Sequence, residues 1–240
     1  MATIIPAILP TSLEDLRERL TRLSGLVDEV QIDIVDGVFA SPATWPYSET
    51  GHTGGVENVE EDALFSLGSF RYETDLMVEH PWEKLRTWIS AGATRVTIHA
   101  ESVHSLETLI RSAQETYGYD PQFSSNLLSI GVAFMPDADV SLFDSCFDQI
   151  HYVQFMGIAR IGRQGEPFDP RVLEAIKSFR KKYKNIPIQV DGGVSKDTAP
   201  ALFKAGASRL VVGSDIWHAQ NIREEIEHLE SLSQAYGLYT

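Results

Sequence analysis

The fold class that this sequence predicts is α/β, in the form of a (β/α)8 TIM barrel. Apolar runs and amphipathic segments alternate eight times along 240 residues. The apolar runs are almost continuous, as strands are in parallel sheets covered on both faces. No Gly-x-Gly-x-x-Gly segment follows the first run, which disfavours an open dinucleotide-binding sheet. Length and repetition therefore favour a closed barrel.

The chain begins with two strand–helix units. The first strand is predicted over 3–9, an apolar and β-branched run, and segment 10–12 supplies the start signals for a helix over 13–23. The second strand is predicted over 30–35. Segment 38–56 is rich in proline and glycine, which predicts a long loop instead of a regular element.

The rest of the chain continues the same alternation. The remaining strands are predicted over 71–78, 95–99, 128–134, 150–155, 186–190 and 209–212. The remaining helices are predicted over 60–67, 82–91, 106–117, 140–146, 171–182, 198–205 and 222–232. The polar segment 118–125 is predicted as a surface loop. Because no linker or break in composition interrupts the pattern, a single domain covering 1–240 is expected.

Composition excludes several classes of function. The formal net charge of -14 disfavours nucleic-acid binding. The single cysteine, Cys146, excludes an internal disulfide and a cysteine-rich zinc site. No apolar run is long enough to span a membrane, and no leader-like segment begins the chain. A cytoplasmic protein without membrane association or a nucleotide cofactor is expected. The oligomeric state stays open, and a homo-oligomer is one alternative.

Buried carboxylates at strand ends are the first candidates for chemistry, because active sites of such barrels collect at the C-terminal ends of the strands. Gln31 and Asp33 alternate with apolar residues and therefore share a face of the second strand. Asp191 ends the seventh strand and precedes two glycines. Since burying an unpartnered charge is costly, Asp33 and Asp191 are predicted to be catalytic, with a structural carboxylate as the alternative. Asp36 precedes a glycine and is predicted to be a turn residue.

Three turns of small residues follow the last three strands. Glycines allow backbone N–H groups to approach an anion closely. The turns are predicted to hold one anion jointly, with local donors compensating for the acidic composition. The candidate residues are Gly162, Arg163, Gln164 and Gly165 in the first turn, Gly192 and Gly193 in the second, and Gly213 and Ser214 in the third.

Several motifs together resemble the ribulose-phosphate 3-epimerase family over nearly the whole chain. The paired Asp-x-x-Asp-Gly and Asp-Gly-Gly-Val segments, with Leu-Met-Val between them, are specific in combination, whereas either glycine turn alone is common among phosphate-binding barrels. The matching segments are Pro6-Ala7-Ile8-Leu9, Gln31-Ile32-Asp33-Ile34-Val35-Asp36-Gly37, Asp75-Leu76-Met77-Val78, Ile98-His99-Ala100-Glu101, Val190-Asp191-Gly192-Gly193-Val194 and Val211-Val212-Gly213-Ser214.

The resemblance implies a ribulose-phosphate-binding barrel that epimerises ribulose 5-phosphate. Asp33 would exchange the C3 proton on one face of an enediolate and Asp191 on the other, since inversion without bond cleavage needs an acid and a base on opposite sides. The resemblance also implies phosphate binding by the turns at 192–193 and 213–214. The loop 162–165 would close over the phosphate, with Arg163 as a charge partner.

Two further residues enter as substrate contacts through the resemblance. His99 matches a histidine of the family's fourth strand and would hydrogen-bond the site, with a satisfied core histidine as an equal alternative. Met77 would supply a soft contact near the intermediate, and ordinary core packing is its alternative. Ala7 stands where the family has a serine.

The metal site departs from the family pattern of two aspartates and two histidines. Gln31 and Asp75 replace both histidines, so only Asp33 and Asp191 remain. In one interpretation the site binds no metal. In the other, all four side chains form an oxygen ligand set, which favours Mg²⁺ or Mn²⁺ over Zn²⁺. Three carboxylates brought together need either a cation or a bound proton, and either outcome serves proton transfer.

Three functions therefore stay open. The first is epimerisation or isomerisation of a phosphorylated ketose. The second is a different phosphosugar reaction on a related barrel, although the Asp-x-Lys-x-x-Asp pattern of one such group is absent and no lysine ends a strand to form a Schiff base. The third is a non-catalytic phosphosugar-binding protein.

Overall fold

The computed structural model describes residues 3–50, 70–118 and 128–237. Its eight parallel strands close into a barrel in sequence order, which confirms the predicted (β/α)8 fold. The strands are β1 Thr3–Ile8, β2 Glu29–Val35, β3 Arg71–Met77, β4 Ala93–His99, β5 Ser129–Phe134, β6 Tyr152–Met156, β7 Ile188–Asp191 and β8 Arg209–Val212.

The helices among the described residues surround the barrel or occupy its loops. They are α1 Leu13–Leu23, α2 Tyr47–Thr50, α3 Pro81–Ser90, α4 Leu106–Tyr117, α5 Arg171–Lys182, α6 Ala199–Ala205, α7 Ser214–His218 and α8 Ile222–Tyr236. Within the part of the chain that the structure describes, no helix has the length and apolarity needed to cross a bilayer.

Three predicted elements differ from the observed ones. The helix predicted over 140–146 is a 3-10 helix, Val140–Cys146, and Asp139 accepts hydrogen bonds from the backbone and hydroxyl of Ser141 at its start. Such local side-chain bonds compete with the α-helical ladder. The long loop contains α2, and the turn at Ser214 begins α7. The helix predicted over 60–67 lies outside the described residues, as does most of the loop predicted over 118–125.

Helix α1 shows how local sequence signals build the outer layer. The hydroxyl of Ser12 accepts a hydrogen bond from the backbone N–H of Asp15 and so caps the first turn. Leu16, Leu20 and Leu23 follow at helical spacing and are buried against the barrel. The helix therefore begins and packs as its sequence indicates.

Strand alternation divides the molecule into an apolar outer core and a polar interior. On β2, Val30, Ile32 and Ile34 belong to the hydrophobic cluster shared with the helices. Gln31 and Asp33, between them, point the other way, into the barrel. The interior is filled largely by polar side chains, in contrast to the branched aliphatic layers common in such barrels. The buried polar side chains at 0% exposure include Gln31, Glu73, Asp75, Thr97, His99, Gln154 and Gln189.

An ionic layer closes the N-terminal end of this interior. Glu73 lies 3.1 Å from Nε of Arg95 and 3.0 Å from Nη2 of Arg209, and Arg209 also binds Glu29 at 2.7 Å. Burial by itself raises the pKa of Glu73, but the two arginines outweigh it and hold that pKa below its usual value. Glu73 is therefore a compensated buried anion, and the uncompensated carboxylates lie at the other end of the barrel.

Candidate active site

Three carboxylates meet at the C-terminal mouth of the barrel. Asp33 on β2 is in register with Asp75 on β3, and Asp191 is the last residue of β7. One carboxylate oxygen from each lies within 4.8 Å of the others. All three are buried, with exposures of 6%, 0% and 8% in that order. The fold therefore brings together the three acidic residues that the sequence singled out for this site.

Gln31 bridges two of these carboxylates. Its Nε2 donates to Oδ1 of Asp33 at 2.8 Å and to Oδ2 of Asp191 at 2.7 Å. The Oε1 of Gln31 points away from the mouth and accepts a hydrogen bond from Nε2 of Gln189 at 3.3 Å. Gln31 thus presents a donor, not an oxygen, to the acidic pair.

Asp75 is held by two other donors. The Nε2 of His99 lies 3.0 Å from Oδ1 of Asp75, and Nε2 of Gln154 donates to Oδ2 at 3.0 Å. Burial lowers the pKa of His99, but the charge and hydrogen bond of Asp75 outweigh burial, so that the pKa lies above its usual value. The Nδ1 of His99 has no hydrogen-bond partner among the described residues. A protonated His99 would compensate the charge of Asp75.

Burial and the charges of neighbouring carboxylates raise the pKa values of the remaining pair, Asp33 and Asp191. Burial, followed by the charges of Asp191 and Asp75, raises the pKa of Asp33 well above its usual value. Burial, followed by the charge of Asp75, raises the pKa of Asp191 to about 7. Two carboxyls that interact this closely titrate as a pair. Two neighbouring carboxyls whose pKa values are raised in this way are suited to act as an acid and a base.

A cavity opens above Asp33 and Asp191. Its apolar wall is formed by Leu9, Met77, Met156, Ile158 and Val211, together with Ala7 and Val194. Its polar wall is formed by Asp33, Asp191, Arg163, Gln164, Glu166 and Ser214, and the glycines at 162, 165, 192, 193 and 213 complete it. The predicted catalytic aspartates and the three predicted anion-binding turns thus line one common cavity.

The turn after β7 requires glycine. Gly193 has φ of +64°, and a Cβ added there would lie 2.7 Å from Cα of Phe168. Both the left-handed backbone and the close approach of the β6 loop disfavour any side chain at this position. The backbone of this turn consequently faces the cavity beside Asp191 without side chains in the way.

The loop after β6 reaches across the mouth to the loop after β2. The Nε of Arg163 donates to the backbone oxygen of Ser41 at 2.9 Å, and Nε2 of Gln164 donates to the backbone oxygen of Ala7 at 3.4 Å. These bonds connect the loop after β6 to the loop after β2 and to strand β1. Arg163 therefore lines the same cavity as the turns at 192–193 and 213–214.

Three of the predicted site residues lie behind the cavity instead of lining it. Gln31, Asp75 and His99 are fully buried and do not form part of the cavity wall. Asp36 has the turn function predicted for it: Oδ1 accepts hydrogen bonds from the backbone N–H groups of Val38 and Phe39.

The sequence interpretation missed several residues of the site. Glu166 lies one residue beyond the predicted anion loop, lines the cavity and pairs with Arg160. Glu73 and Gln189 precede Asp75 and Asp191 by two residues. The period-two argument that found Gln31 from Asp33 would have found both, because each shares a strand face with its aspartate.

The family resemblance implies a divalent cation, so the side chains at this site can be compared with the ligands that such a cation requires. Three carboxylate oxygens within 4.8 Å of one another are suitable ligands for a hard cation such as Mg²⁺ or Mn²⁺. Gln31 is not suitable in its observed orientation, because an amide nitrogen does not ligate such ions. Asp33, Asp75 and Asp191 could therefore bind a metal.

Known proteins resemble this chain in sequence and in fold. The model of the ribulose-phosphate 3 epimerase family matches residues 3–217. Ribulose-phosphate 3-epimerase from Bacillus subtilis is 26% identical over 235 residues, covering 95% of this chain and 98% of that protein. The Schizosaccharomyces pombe ribulose-phosphate 3-epimerase is 26% identical over 236 residues, covering 96% and 93%.

Solved structures share the fold at lower sequence identity. The 3-keto-L-gulonate-6-phosphate decarboxylase from Vibrio cholerae superposes with a TM-score of 0.68 at 12% identity, covering 99% of this chain and 100% of that chain. The 3-hexulose-6-phosphate synthase from Salmonella typhimurium superposes with a TM-score of 0.65 at 16% identity, covering 98% and 100%. At these identities the likeness concerns the fold alone.

Proposed function

This chain belongs to the ribulose-phosphate 3-epimerase family, and on that premise we propose that it epimerises a phosphorylated ketose at the carbon beside the carbonyl. The substrate that the family relationship favours is ribulose 5-phosphate. Asp33 and Asp191 are the proposed acid and base. One removes the C3 proton to form an enediolate, and the other returns a proton to the opposite face.

The single observation that carries this proposal is that Asp33 and Asp191, held by the same Gln31 nitrogen at 2.8 and 2.7 Å, both line one cavity. Epimerisation needs one ionised carboxylate and one protonated carboxyl in the same enzyme molecule. Burial, followed by the charge of Asp75, raises the pKa of Asp191 to about 7, and burial, followed by the charges of Asp191 and Asp75, raises the pKa of Asp33 well above its usual value. The shared donor, Gln31 Nε2, tethers one oxygen of each residue and leaves the other two oxygens available. Asp33 and Asp191 also line the cavity, so that a bound sugar would reach both.

The far side of the same cavity supports binding of a phosphate group. The turns at 192–193 and 213–214 supply backbone N–H groups, and Arg163 supplies a guanidinium for charge-assisted hydrogen bonds. Because the molecule carries a net charge of -14, these local donors are needed to hold a dianion. Met77 and Met156 would pack against the apolar edge of the planar enediolate.

Asp33, Asp75 and Asp191 are the residues that would hold a divalent cation. A cation bound there would supply a Lewis acid for the negative charge that develops on the substrate oxygens. His99 does not touch the cavity and would act through Asp75, whose orientation it maintains.

Incorporation of solvent deuterium at C3 of ribulose 5-phosphate tests the proposal directly. The wild-type protein is expected to exchange this position and to form the C3 epimer. Asp33→Asn and Asp191→Asn should each reduce epimerisation by about 10²–10⁴-fold, the contribution typical of a general acid or base. Asp148→Asn, an exposed change just before β6 at the opposite end of the barrel, is the matched control and should leave the rate unchanged.

Two results would contradict epimerase activity. Binding of ribulose 5-phosphate without any exchange at C3 would identify a phosphosugar-binding protein. Loss of carbon from a phosphorylated ketose, or formation of a new carbon–carbon bond, would identify a different phosphosugar reaction on the same barrel. Nuclear magnetic resonance of the reaction mixture in deuterated water distinguishes all of these outcomes.

A further inference from the structure

Three glutamines connect the ionic layer to the carboxylates at the mouth. We name Gln31, Gln154 and Gln189 the amide relay. All three are fully buried, and each lies on a different strand, β2, β6 and β7 respectively. The relay begins at Arg209 on β8, whose Nε donates to Oε1 of Gln189 at 2.8 Å.

The orientation of Gln189 follows from this contact. A guanidinium can only donate hydrogen bonds, so the oxygen of Gln189 must face Arg209 and its nitrogen must face the opposite way. The two hydrogens on Nε2 of Gln189 then face three acceptors, which are Oε1 of Glu73 at 2.5 Å, Oε1 of Gln154 at 2.7 Å and, in the longest contact, Oε1 of Gln31 at 3.3 Å.

Gln189 in turn determines the orientation of the other two amides. Because the oxygens of Gln31 and Gln154 face its nitrogen, their own nitrogens face the mouth. There Gln31 donates to Asp33 and Asp191, and Gln154 donates to Oδ2 of Asp75. Hydrogen-bond donation thus runs in one direction, from the guanidinium of Arg209 to the three carboxylates.

Rotation of Gln31 would break this pattern. To offer its oxygen to a cation, Gln31 would have to turn its nitrogen towards the nitrogen of Gln189, leaving two buried donors facing each other. Gln189 cannot rotate in response, because its nitrogen would then face the guanidinium of Arg209. Buried donors without acceptors are costly, so the observed orientation is strongly preferred.

We propose that the amide relay, anchored by Arg209, presents N–H donors to the three carboxylates and thereby weakens their binding of a divalent cation. Gln31 then competes with the metal instead of ligating it. Arg209 and Gln189 are positioning residues that act through Gln31 and Gln154. This inference rests on the proposed function only for the location of the site.

Titration of the protein with Mn²⁺ after removal of metals by a chelator tests the inference without any sugar present. Free Mn²⁺ is measured by electron paramagnetic resonance. Gln31→Leu removes the competing donors and adds no ligand. Loss of hydrogen bonds to charged groups predicts that Mn²⁺ affinity rises about tenfold or more in this variant. If Gln31 is a ligand, the same substitution lowers the affinity, so the sign of the change decides between the two roles.

Two additional variants keep the test specific. Gln31→Met preserves side-chain length and replaces Gln31→Leu if that variant fails to fold, as judged by circular dichroism. Gln149→Leu changes a glutamine that lies outside the barrel interior, next to Ser145, and should leave the affinity unchanged. A fall or no change in affinity on removal of the Gln31 amide overturns the proposal. Absence of Mn²⁺ binding at millimolar concentration in every variant overturns it as well.

The role of the anchor is tested by a double-mutant cycle. Gln189→Met frees the amide of Gln31 to rotate and should raise Mn²⁺ affinity in the wild-type background. In the Gln31→Met background, Gln189→Met should change Mn²⁺ affinity less, because the Gln31 amide that it would free to rotate is no longer present. Equal effects in both backgrounds would show that Gln189 does not act through Gln31. Epimerisation is assayed separately, so failure of the relay proposal is distinguishable from failure of the proposed function.

Discussion

Gln31 on β2 and Asp191 on β7 are 160 residues apart in the chain, yet the Gln31 amide nitrogen lies 2.7 Å from a carboxylate oxygen of Asp191. The same nitrogen lies 2.8 Å from Asp33. A single side chain therefore holds the two proposed catalytic groups close enough for each to affect the protonation of the other. Gln31 stands where the resemblance implies a histidine in the family, and one interpretation of the sequence made Gln31 an oxygen ligand for a metal.

Stability should depend on pH through Asp191. Its pKa is about 7 in the folded protein and near 3.8 in the absence of structure. A carboxyl whose pKa is raised by folding contributes stability fully below the unfolded pKa, and that contribution is lost as the pH rises through the folded pKa. The wild-type free energy of unfolding should therefore decrease between these two values.

Asp191→Asn removes this dependence. We expect the variant to be more stable than the wild type by about 1–3 kcal/mol near pH 8, and the difference to shrink towards about pH 5. Urea denaturation at each of these two pH values, in the presence of a chelator, measures the difference in the free energy of unfolding. Asp148→Asn provides the control and should show no such difference. A gain of equal size at both pH values would contradict the raised pKa.

Gly193→Ala should damage phosphate binding selectively. The added Cβ would lie 2.7 Å from Cα of Phe168, and the backbone there has φ of +64°, so the turn must move. We expect the KM for the phosphorylated ketose to rise about tenfold or more, as for loss of one or more charge-assisted hydrogen bonds. The same sugar without its phosphate should bind equally weakly to the variant and the wild type.

Steady-state kinetics with both sugars measures this prediction. Ala159→Ser, an exposed change on the neighbouring β6 loop, is the control for nonspecific loop effects. Equal losses for the phosphorylated and unphosphorylated sugars would argue that the turn near Gly193 does not contact the phosphate.

Arg209→Met should destabilise the barrel strongly. It leaves Glu29 without its 2.7 Å partner and deprives Glu73 of one of its two arginines. Removing one member of a buried ion network typically costs about 3–5 kcal/mol. Arg71→Met is the matched control, because Arg71 pairs with the same Glu29 at 3.6 Å but is 57% exposed. Arg71→Met should lower the free energy of unfolding by about 0.5 kcal/mol or less.

Equilibrium urea denaturation of the two variants distinguishes buried from exposed ion pairs. Comparable costs for both substitutions would indicate that the ionic layer is not a principal source of stability at the N-terminal end of the barrel.

Much of the architecture could be predicted because β-strands and helices have different periods. The apolar positions of β2 and α1 follow those periods, and both elements lie where their patterns indicated. The helix predicted over 140–146 is present, but the sequence pattern did not indicate that it is a 3-10 helix, because the side chain of Asp139 forms local hydrogen bonds that the apolar pattern does not report. Short elements such as α7 lack enough residues to show a period at all.

The sequence by itself determined the order of eight strands, the carboxylates at their ends and the glycine turns that face a common rim, because alternation and strand-end position are local properties of the chain. Only the tertiary structure decided that His99 lies behind Asp75 and that Gln31 turns its nitrogen, not its oxygen, towards the acidic pair. The reason is that an amide has two chemically different ends of almost the same shape. Its orientation is determined by distant partners, here Gln189 and ultimately Arg209, which closure of the barrel brings beside it.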